Sequence, residues 1–279
     1  MKFTVTSERP GSVKTGCVIL GVYEHRTLSS AAAEFDKTTG GLLKKVLKDG
    51  DMDGSSGQNV ILHYPAGAKC ERVMLIGCGK ASEFNVRAYQ QAVSSAAVAI
   101  NATGTDDAVS YLAELEVSGR TSYQKVRALV EGTRSAAYTP DALKSKKDQT
   151  LKPIRRLAIG VDAADKSSAR KALTEGEAIA SGVELARTLG DLPGNICTPS
   201  YLADQARELG KSSEKLKVSV MSEAGMEKLG MGSLLSVSRG SRQPAKLITL
   251  KYDGGKAGVK PVALVGKGVT FDSGGISIK

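Results

Sequence analysis

The sequence predicts an α/β fold in which an N-terminal α/β domain with a mixed sheet is followed by a long linker helix. The beginning of a second α/β domain, with a mainly parallel sheet, is predicted after that helix. Short apolar runs alternate with helical patterns, one of these helical patterns is unusually long, and 41% of the 279 residues are hydrophobic. This apolar content is enough for a real core. Because only 4% of residues are aromatic and Trp is absent, that core must be aliphatic.

The first half contains short apolar runs that are candidate strands, with helical patterns between them. The helical segments 85–104 and 122–138 place apolar residues at positions i, i+3, i+4 and i+7. Strands separated by helices are typical of βαβ units, so we expect a mixed or parallel sheet covered on both faces. The candidate strands are residues 2–7, 17–23, 59–65, 72–79, 108–113 and 155–162.

A single helical pattern runs from Asp165 to about Leu189, and Gly190 followed by Pro193 supplies its stop signal. A helix of this length can link two domains. We therefore place a domain boundary near residue 163, with an N-terminal α/β domain over 1–163 and the linker helix and the start of a second domain over 164–279. Beyond the helix, the pattern predicts helices over 199–210 and 223–230 and strands over 217–222, 245–254 and 261–271.

Net charge and cysteine usage restrict the compartment and the partners. The formal net charge is +10, and the densest basic run, KSKKDQTLKPIRR (144–156), has no aromatic residues for stacking on bases. We interpret it as a solvated loop. The N-terminus lacks the pattern of a signal peptide, and no apolar run has membrane-spanning length. The scattered cysteines are typical of free thiols in a reducing cytoplasm; they are Cys17, Cys70, Cys78 and Cys197.

The run ALVGKGVTFDSGGISIK (263–279) sets Lys267, Asp272 and Lys279 among glycines. Its spacing, G-K-G-x(5)-G-G, matches neither the dinucleotide-binding nor the Walker pattern, so phosphate binding is weakly supported. The letters D-S-G-G around Ser273 resemble the active serine of chymotrypsin-like proteases, with a histidine upstream at position 25 or 63. Those proteases are all-β and disulfide-bonded, so we interpret this match as a coincidence.

Metal-assisted hydrolysis is the third chemistry that this segment allows. Asp272 is a hard oxygen ligand suited to Zn²⁺, Mn²⁺ or Mg²⁺. Lys267 can bind a metal only as the neutral amine, which requires a pKa lowered by the cation and by burial. Flanking glycines let a backbone approach a metal closely. The residues alone leave this interpretation and a glycine-rich surface strand equally open. The polar segment 49–58 is predicted to be a loop and not a Ca²⁺ site, because it lacks the closing Glu of an EF-hand.

The segment LVGKGVTFDSGGISIK (264–279) resembles the signature around the metal site of the leucyl (cytosol) aminopeptidases, which are cytosolic peptidases with two metal ions. Upstream, ARTLGDLPGNICTPSYLADQA (186–206) is similar to the family's segment between linker helix and catalytic domain. MEKLGMGSLLSVSRGS (226–241) and PAKLITLKYDG (244–254) also have counterparts there. The resemblance is closest from about residue 165 onward, and it makes 164–279 the linker helix and the start of a metallo-aminopeptidase catalytic domain.

The resemblance implies a role for each charged residue of the glycine-rich run. Lys267 would bind one metal ion, Asp272 would bridge both, and Lys279 would be the catalytic lysine that stabilises negative charge on the substrate's carbonyl oxygen. The implied cofactor is a pair of divalent ions, Mn²⁺ or Zn²⁺. The implied reaction is the release of N-terminal amino acids, preferentially leucine, from peptides with a free N-terminus. The implied assembly is a homo-hexamer in the cytoplasm.

The resemblance implies that the family's other carboxylate ligands, an arginine that holds bicarbonate and the residues of the leucine pocket would correspond to positions beyond 279. We therefore expect the 279-residue chain by itself to be inactive and to bind divalent metal weakly. The alternative hypothesis is a non-catalytic, DNA-binding remnant, since some bacterial members of the family also bind DNA. Electrophoretic mobility at several salt concentrations would distinguish the two, because phosphate contacts weaken steeply with salt.

Overall fold

The strands predicted in the first half of the chain pair into one mixed sheet. The chain folds as two compact units, one ending at Leu185 and the other beginning at Ala186. This division falls inside the long helix, and the domain boundary near residue 163 stays a prediction. The computed structural model describes residues 1–141, 143–145, 154–256, 258–272 and 274.

The first unit is built on seven strands within the described residues, in the order β1-β7-β6-β2-β5-β4, with β3 paired to β2. Pairing is parallel from β1 through β7, β6 and β2 to β5, whereas β4 and β3 are antiparallel to their neighbours. The mixed sheet predicted for the N-terminal domain is therefore confirmed. The strands are β1 (Lys2–Thr6), β2 (Val18–Tyr23), β3 (Thr27–Leu28), β4 (Asn59–His63), β5 (Arg72–Gly77), β6 (Asp107–Ser110) and β7 (Arg156–Gly160).

Helices cover both faces of this sheet. Successive residues of a strand point to opposite faces, and the central strand β2 shows this clearly. Ile19 packs in a cluster that includes residues of α3, α4 and α5, whereas Leu20 packs in a second cluster with residues of α1 and α2. The prediction of a sheet buried on both faces is confirmed. The helices are α1 (Ser30–Thr38), α2 (Leu42–Asp49), α3 (Val86–Asn101), α4 (Ser122–Ala137) and α5 (Lys166–Asp191).

The junction of α1 and α2 depends on a buried carboxylate. Asp36 is 3% exposed, and its Oδ1 accepts the backbone N–H groups of Leu43 at 2.8 Å and Lys44 at 3.1 Å. The N-cap of α2 is Gly41, which has no side chain to satisfy these first amides. Asp36 therefore supplies both the capping oxygen and the negative charge that a helix N-terminus favours.

The long helix α5 agrees with the pattern predicted from Asp165 to Leu189. It packs against α4 at Gly176, where an added Cβ would lie only 3.1 Å from the Cβ of Val130. Arg134 and Glu184 form a two-pronged ion pair between the same helices, with Nε donating to Oε1 at 2.6 Å. Small residues let the two helices approach closely. The buried residues of α5 are Ala169, Ala172, Gly176 and Ala180.

The four cysteines are buried free thiols, as predicted. Burial raises the pKa of the Cys17 thiol to about 12 and that of Cys70 to about 11. Thiols held in the neutral form are poor nucleophiles and poor metal ligands. No helix in the described ranges combines the length and the apolarity needed to cross a lipid bilayer.

A partly buried carboxyl group at Glu114 gives the first unit a pH-dependent stability. Burial, together with the nearby carboxylates of Asp162 and Glu34, raises the pKa of Glu114 from 4.5 to about 7 against an opposing effect of Lys125. Lys125 Nζ donates to the carbonyl oxygen of Leu115 at 2.9 Å. The folded state holds the proton of Glu114 more tightly than the unfolded state does. The stabilisation that the protonated side chain provides is therefore complete below about pH 4.5. It is lost as the pH rises through about 7.

Replacing Glu114 by glutamine is expected to flatten the pH dependence of the melting temperature. The wild type should lose stability between pH 4.5 and pH 7, because the carboxyl group ionises in a partly desolvated place beside like charges. Glu114→Gln cannot ionise and should show a smaller slope in this window. Glu116→Gln, at an exposed neighbour, is the control and should keep the wild-type slope. Identical slopes for all three proteins would refute the role of Glu114.

The second unit contains, within its described residues, one antiparallel pair of strands with helices beside it in sequence. The strands β8 (Leu216–Met221) and β9 (Leu247–Tyr252) pair with Leu216 opposite Tyr252. The predicted helices over 199–210 and 223–230 and both of these strands are confirmed. The helices are α6 (Pro199–Gly210), α7 (Glu223–Lys228) and α8 (Gly232–Ser238).

The strand predicted over 261–271 is not formed, and that prediction was wrong. All of these residues are described, and none is assigned to a strand. Val262, Leu264 and Val265 are 89%, 95% and 98% exposed, so the run is not buried on either face. An apolar run becomes a strand only when its backbone groups pair with a neighbour. No strand of the described residues pairs with this one.

Candidate metal site

Asp272 lies in an exposed segment of irregular backbone, where its carboxylate is oriented locally. Oδ1 accepts the backbone N–H of Gly274 at 2.8 Å. Gly274 has a φ of 97°, a left-handed conformation that glycine adopts readily. The backbone therefore turns back toward the aspartate and presents its amide to the carboxylate. A hydrogen bond of this kind is the type of support that orients metal-binding carboxylates.

Lys267 lies on the same segment, five residues before Asp272 in the sequence. Its side chain is exposed, and its carbonyl oxygen accepts the N–H of Val269 at 3.1 Å, which makes a tight turn. Lys279 and Ser273, the other residues singled out in this run, lie outside the described residues. Lys267 and Asp272 lie on one segment because they are close in the sequence, and the convergence of all three predicted site residues stays a prediction.

The segment supplies part of the donor set that a divalent metal ion requires. A carboxylate oxygen suits Mn²⁺, Zn²⁺ and Mg²⁺, and a lysine nitrogen suits them when it is neutral. The side chains of Asp272 and Lys267 therefore carry donor atoms of the kinds that such a site uses. These two residues alone are too few ligands for a complete metal site. Across the described part of the chain, no three His, Cys, Asp or Glu residues are grouped where they could hold a metal.

The segment that carries Lys267 and Asp272 touches the turn that follows α5. The carbonyl oxygen of Thr270 lies 2.5 Å from where a Cβ of Gly194 would be, and the Cβ position of Gly268 lies 3.8 Å from Leu202 of α6. Gly194 was not predicted as a contact of the site. Its only signal was the resemblance of segment 186–206 to a known family, which does not say what the glycine touches.

The serine-protease interpretation gains no support from the fold. His25 lies in the turn between β2 and β3, with a φ of 59°, and His63 is the last residue of β4. Both belong to a mainly parallel α/β unit, whereas chymotrypsin-like proteases are β-barrels.

The described ends of the basic run 144–156 are paired with carboxylates. Lys144 Nζ lies 2.6 Å from Asp141 Oδ1, and Arg155 Nε lies 3.5 Å from Asp106 Oδ1. These pairs fit the predicted solvated loop, in which surface charges neutralise one another. Residues 146–153 lie outside the described residues.

Two sequence models of one peptidase family match this chain. The first, for the N-terminal domain of the cytosol aminopeptidase family, matches residues 19–147, and the second, for that family's catalytic domain, matches residues 184–279. The fold and the matches therefore define an α/β protein whose sequence matches first the N-terminal domain and then the catalytic domain of one peptidase family. The chain belongs to the cytosol aminopeptidase family.

Curated relatives and solved structures agree with this assignment. The chain is 48% identical to a probable cytosol aminopeptidase of Thioalkalivibrio sulfidiphilus and 45% identical to one of Nitrosococcus oceani, in both cases over 100% of this chain and 56% of the relative. The chain thus spans about half the length of the curated relatives it matches.

Two solved structures are similar in fold. The bottromycin maturation enzyme BotP in complex with Mn is 27% identical, with a TM-score of 0.72 over 95% of this chain and 50% of that one. A mutant of tomato leucine aminopeptidase is 22% identical, with a TM-score of 0.79 over 98% of this chain and 55% of that one. The second similarity concerns the fold alone.

Proposed function

We propose that this chain is part of a metal-dependent aminopeptidase that releases N-terminal amino acids, preferentially leucine, from peptides. The observation that carries the proposal is the match of the family's catalytic domain across residues 184–279. This range includes Lys267 and Asp272. The local geometry supports it, because the carboxylate of Asp272 is oriented by the Gly274 amide, 2.8 Å away.

The proposed cofactor is a pair of Mn²⁺ or Zn²⁺ ions, and the presence of Mn in the similar BotP structure supports it. Metal ions of this kind polarise a peptide carbonyl and activate water. Asp272 would contribute its carboxylate to both ions, and Lys267 would contribute its side-chain nitrogen to one of them. Lys279 would hold its positive charge near the substrate's carbonyl oxygen, where negative charge develops during hydrolysis.

We further propose that the 279-residue chain is inactive by itself. A pair of divalent ions needs several anionic ligands to offset its charge, and Asp272 is the one carboxylate assigned to the site. Lys267, the other proposed ligand in the described residues, supplies no negative charge to offset that of the ions. Assembly as a homo-hexamer and a cytoplasmic location are further proposals that follow from the family. The DNA-binding alternative stays a hypothesis that no observation of the structure favours.

Hydrolysis of leucine p-nitroanilide by the complete protein tests the proposed function. Activity should require Mn²⁺ or Zn²⁺, should be lost with a chelator, and should resist a serine-directed fluorophosphonate. The purified 279-residue chain, assayed in parallel, should show no turnover and no tight binding of two ions. Inhibition by the fluorophosphonate without loss to the chelator would restore the serine interpretation. Turnover by the 279-residue chain would refute its proposed inactivity.

A further inference from the structure

The segment that carries Lys267 and Asp272 touches the rest of the second unit at very few places. Every residue from 258 to 272 is exposed except Thr270, which is half-buried. Thr270 precedes Asp272 by two positions, a distance over which a displaced backbone also displaces the next side chains. Whatever holds the backbone at Thr270 therefore also decides where the carboxylate of Asp272 lies.

Gly194 forms this contact, and it does so because it lacks a side chain. A Cβ at Gly194 would lie 2.5 Å from the carbonyl oxygen of Thr270 and 3.3 Å from the Cβ of Phe271. The first distance is shorter than any real contact of a Cβ atom, and its partner is backbone that cannot rotate away. Gly194 is not among the residues with positive φ. The space, and not the backbone angle, therefore requires glycine here.

The turn that presents Gly194 is itself well held. The carbonyl oxygen of Pro193 accepts the N–H groups of Ile196 and Cys197, both at 2.9 Å. Cys197 is 6% exposed, and Thr198 begins α6 as its N-cap by accepting the N–H of Tyr201 at 3.2 Å. A turn fixed in this way to a capped helix is a firm support for a second segment.

We propose that Gly194 is a positioning residue for the metal-binding segment. By admitting the Thr270 carbonyl, it fixes the backbone two residues before Asp272 and so sets the place of the carboxylate that would bridge the metal ions. This inference rests on the proposed function. It adds a residue that binds neither metal nor substrate and acts through Thr270 and Asp272.

Replacing Gly194 by alanine in the complete protein tests the inference. The added methyl group must push the Thr270 backbone outward. The Mn²⁺ dissociation constant should then rise by about 10- to 100-fold, as for other groups that support a metal ligand. Hydrogen exchange in peptides covering 266–274 should become faster. The lost turnover should recover at high Mn²⁺ concentration, which a general folding defect would not allow.

Gly190→Ala is the matched control, because a Cβ at Gly190 meets nothing within 4 Å. It should keep the wild-type Mn²⁺ affinity and exchange. Thr270→Ser keeps the backbone carbonyl and should also behave as the wild type. If Gly194→Ala does not fold, Leu202→Ala alters a second neighbour of the segment, because Leu202 Cδ1 lies 3.8 Å from the position that a Cβ of Gly268 would occupy. It should also weaken Mn²⁺ binding.

The outcomes separate this inference from the proposed function. If the wild type is an Mn²⁺-dependent peptidase and Gly194→Ala equals Gly190→Ala in affinity and exchange, the positioning role is refuted and the function stands. If exchange rises in Gly194→Ala and Mn²⁺ affinity does not change, the positioning role is likewise refuted. If the complete wild-type protein neither binds Mn²⁺ nor cleaves the substrate, the proposed function fails and the inference falls with it.

Discussion

Replacing Asp272 by alanine in the complete protein is expected to reduce kcat/KM for leucine p-nitroanilide by about 10³-fold or more. The proposed site loses its bridging carboxylate, and metal ions supply several kcal/mol of transition-state stabilisation, at about 1.4 kcal/mol for each factor of ten. Metal content, measured on the purified variant, should fall together with activity. Activity near the wild-type level would refute the assignment of Asp272 as a metal ligand.

Two further variants separate charge from geometry at this position. Asp272→Asn keeps an oxygen that can accept the Gly274 N–H, now at 2.8 Å, but removes the negative charge, so it should lose activity nearly as severely. Asp253→Ala is the control for removing a carboxylate from the second unit. Asp253 is exposed, and its ion pair with Lys251, at 3.3 Å, is of the kind that contributes little. An active Asp272→Asn protein would show that the charge is not required.

Replacing Leu20 by alanine is expected to destabilise the first unit by about 2–5 kcal/mol. Leu20 lies in the central strand β2, is 0% exposed, and packs in the cluster formed with α1 and α2. Removing its methyl groups forfeits the burial of apolar surface and leaves a cavity that the surrounding sheet and helices cannot close fully. For a unit of this size the melting temperature should fall by roughly 4 °C or more.

Leu143→Ala deletes the same atoms at a site that is 55% exposed in the same unit. It should change the free energy of unfolding by no more than about 0.5 kcal/mol. Chemical denaturation of both variants, followed by far-ultraviolet circular dichroism, measures the difference. Equal destabilisation by the two substitutions would contradict the placement of Leu20 in the core.

Apolar periodicity in the sequence was sufficient to predict the strands and helices whose own residues show a clear pattern. The runs that contain β1, β2 and β4 to β9 were predicted as strands, and the patterns of α3 to α7 were predicted as helices. The helices α1, α2 and α8 and the strand β3 were not predicted. Part of the reason lies in Asp36, which caps α2 from seven residues before Leu43. A cap supplied from the preceding helix leaves no local signal.

The same limit explains the error over 261–271. The residues of this run are mainly apolar, but a strand also needs a partner whose backbone groups form hydrogen bonds with its own. Within the described residues that partner is lacking, and the run is exposed. Periodicity reports which residues favour burial, and it contains no information on whether a covering surface is present.

By itself, the sequence determined the α/β class, the long helix and the resemblance to the cytosol aminopeptidases, and this resemblance predicts Lys267, Asp272 and Lys279 as site residues. These depend on patterns and motifs that are contiguous in the chain. Only the tertiary structure decided that the Gly274 amide orients Asp272 and that Gly194 makes room for the Thr270 carbonyl. The contact between Gly194 and Thr270 joins segments that are far apart in sequence. Such contacts depend on how distant segments pack together, which the order of residues in the sequence does not reveal.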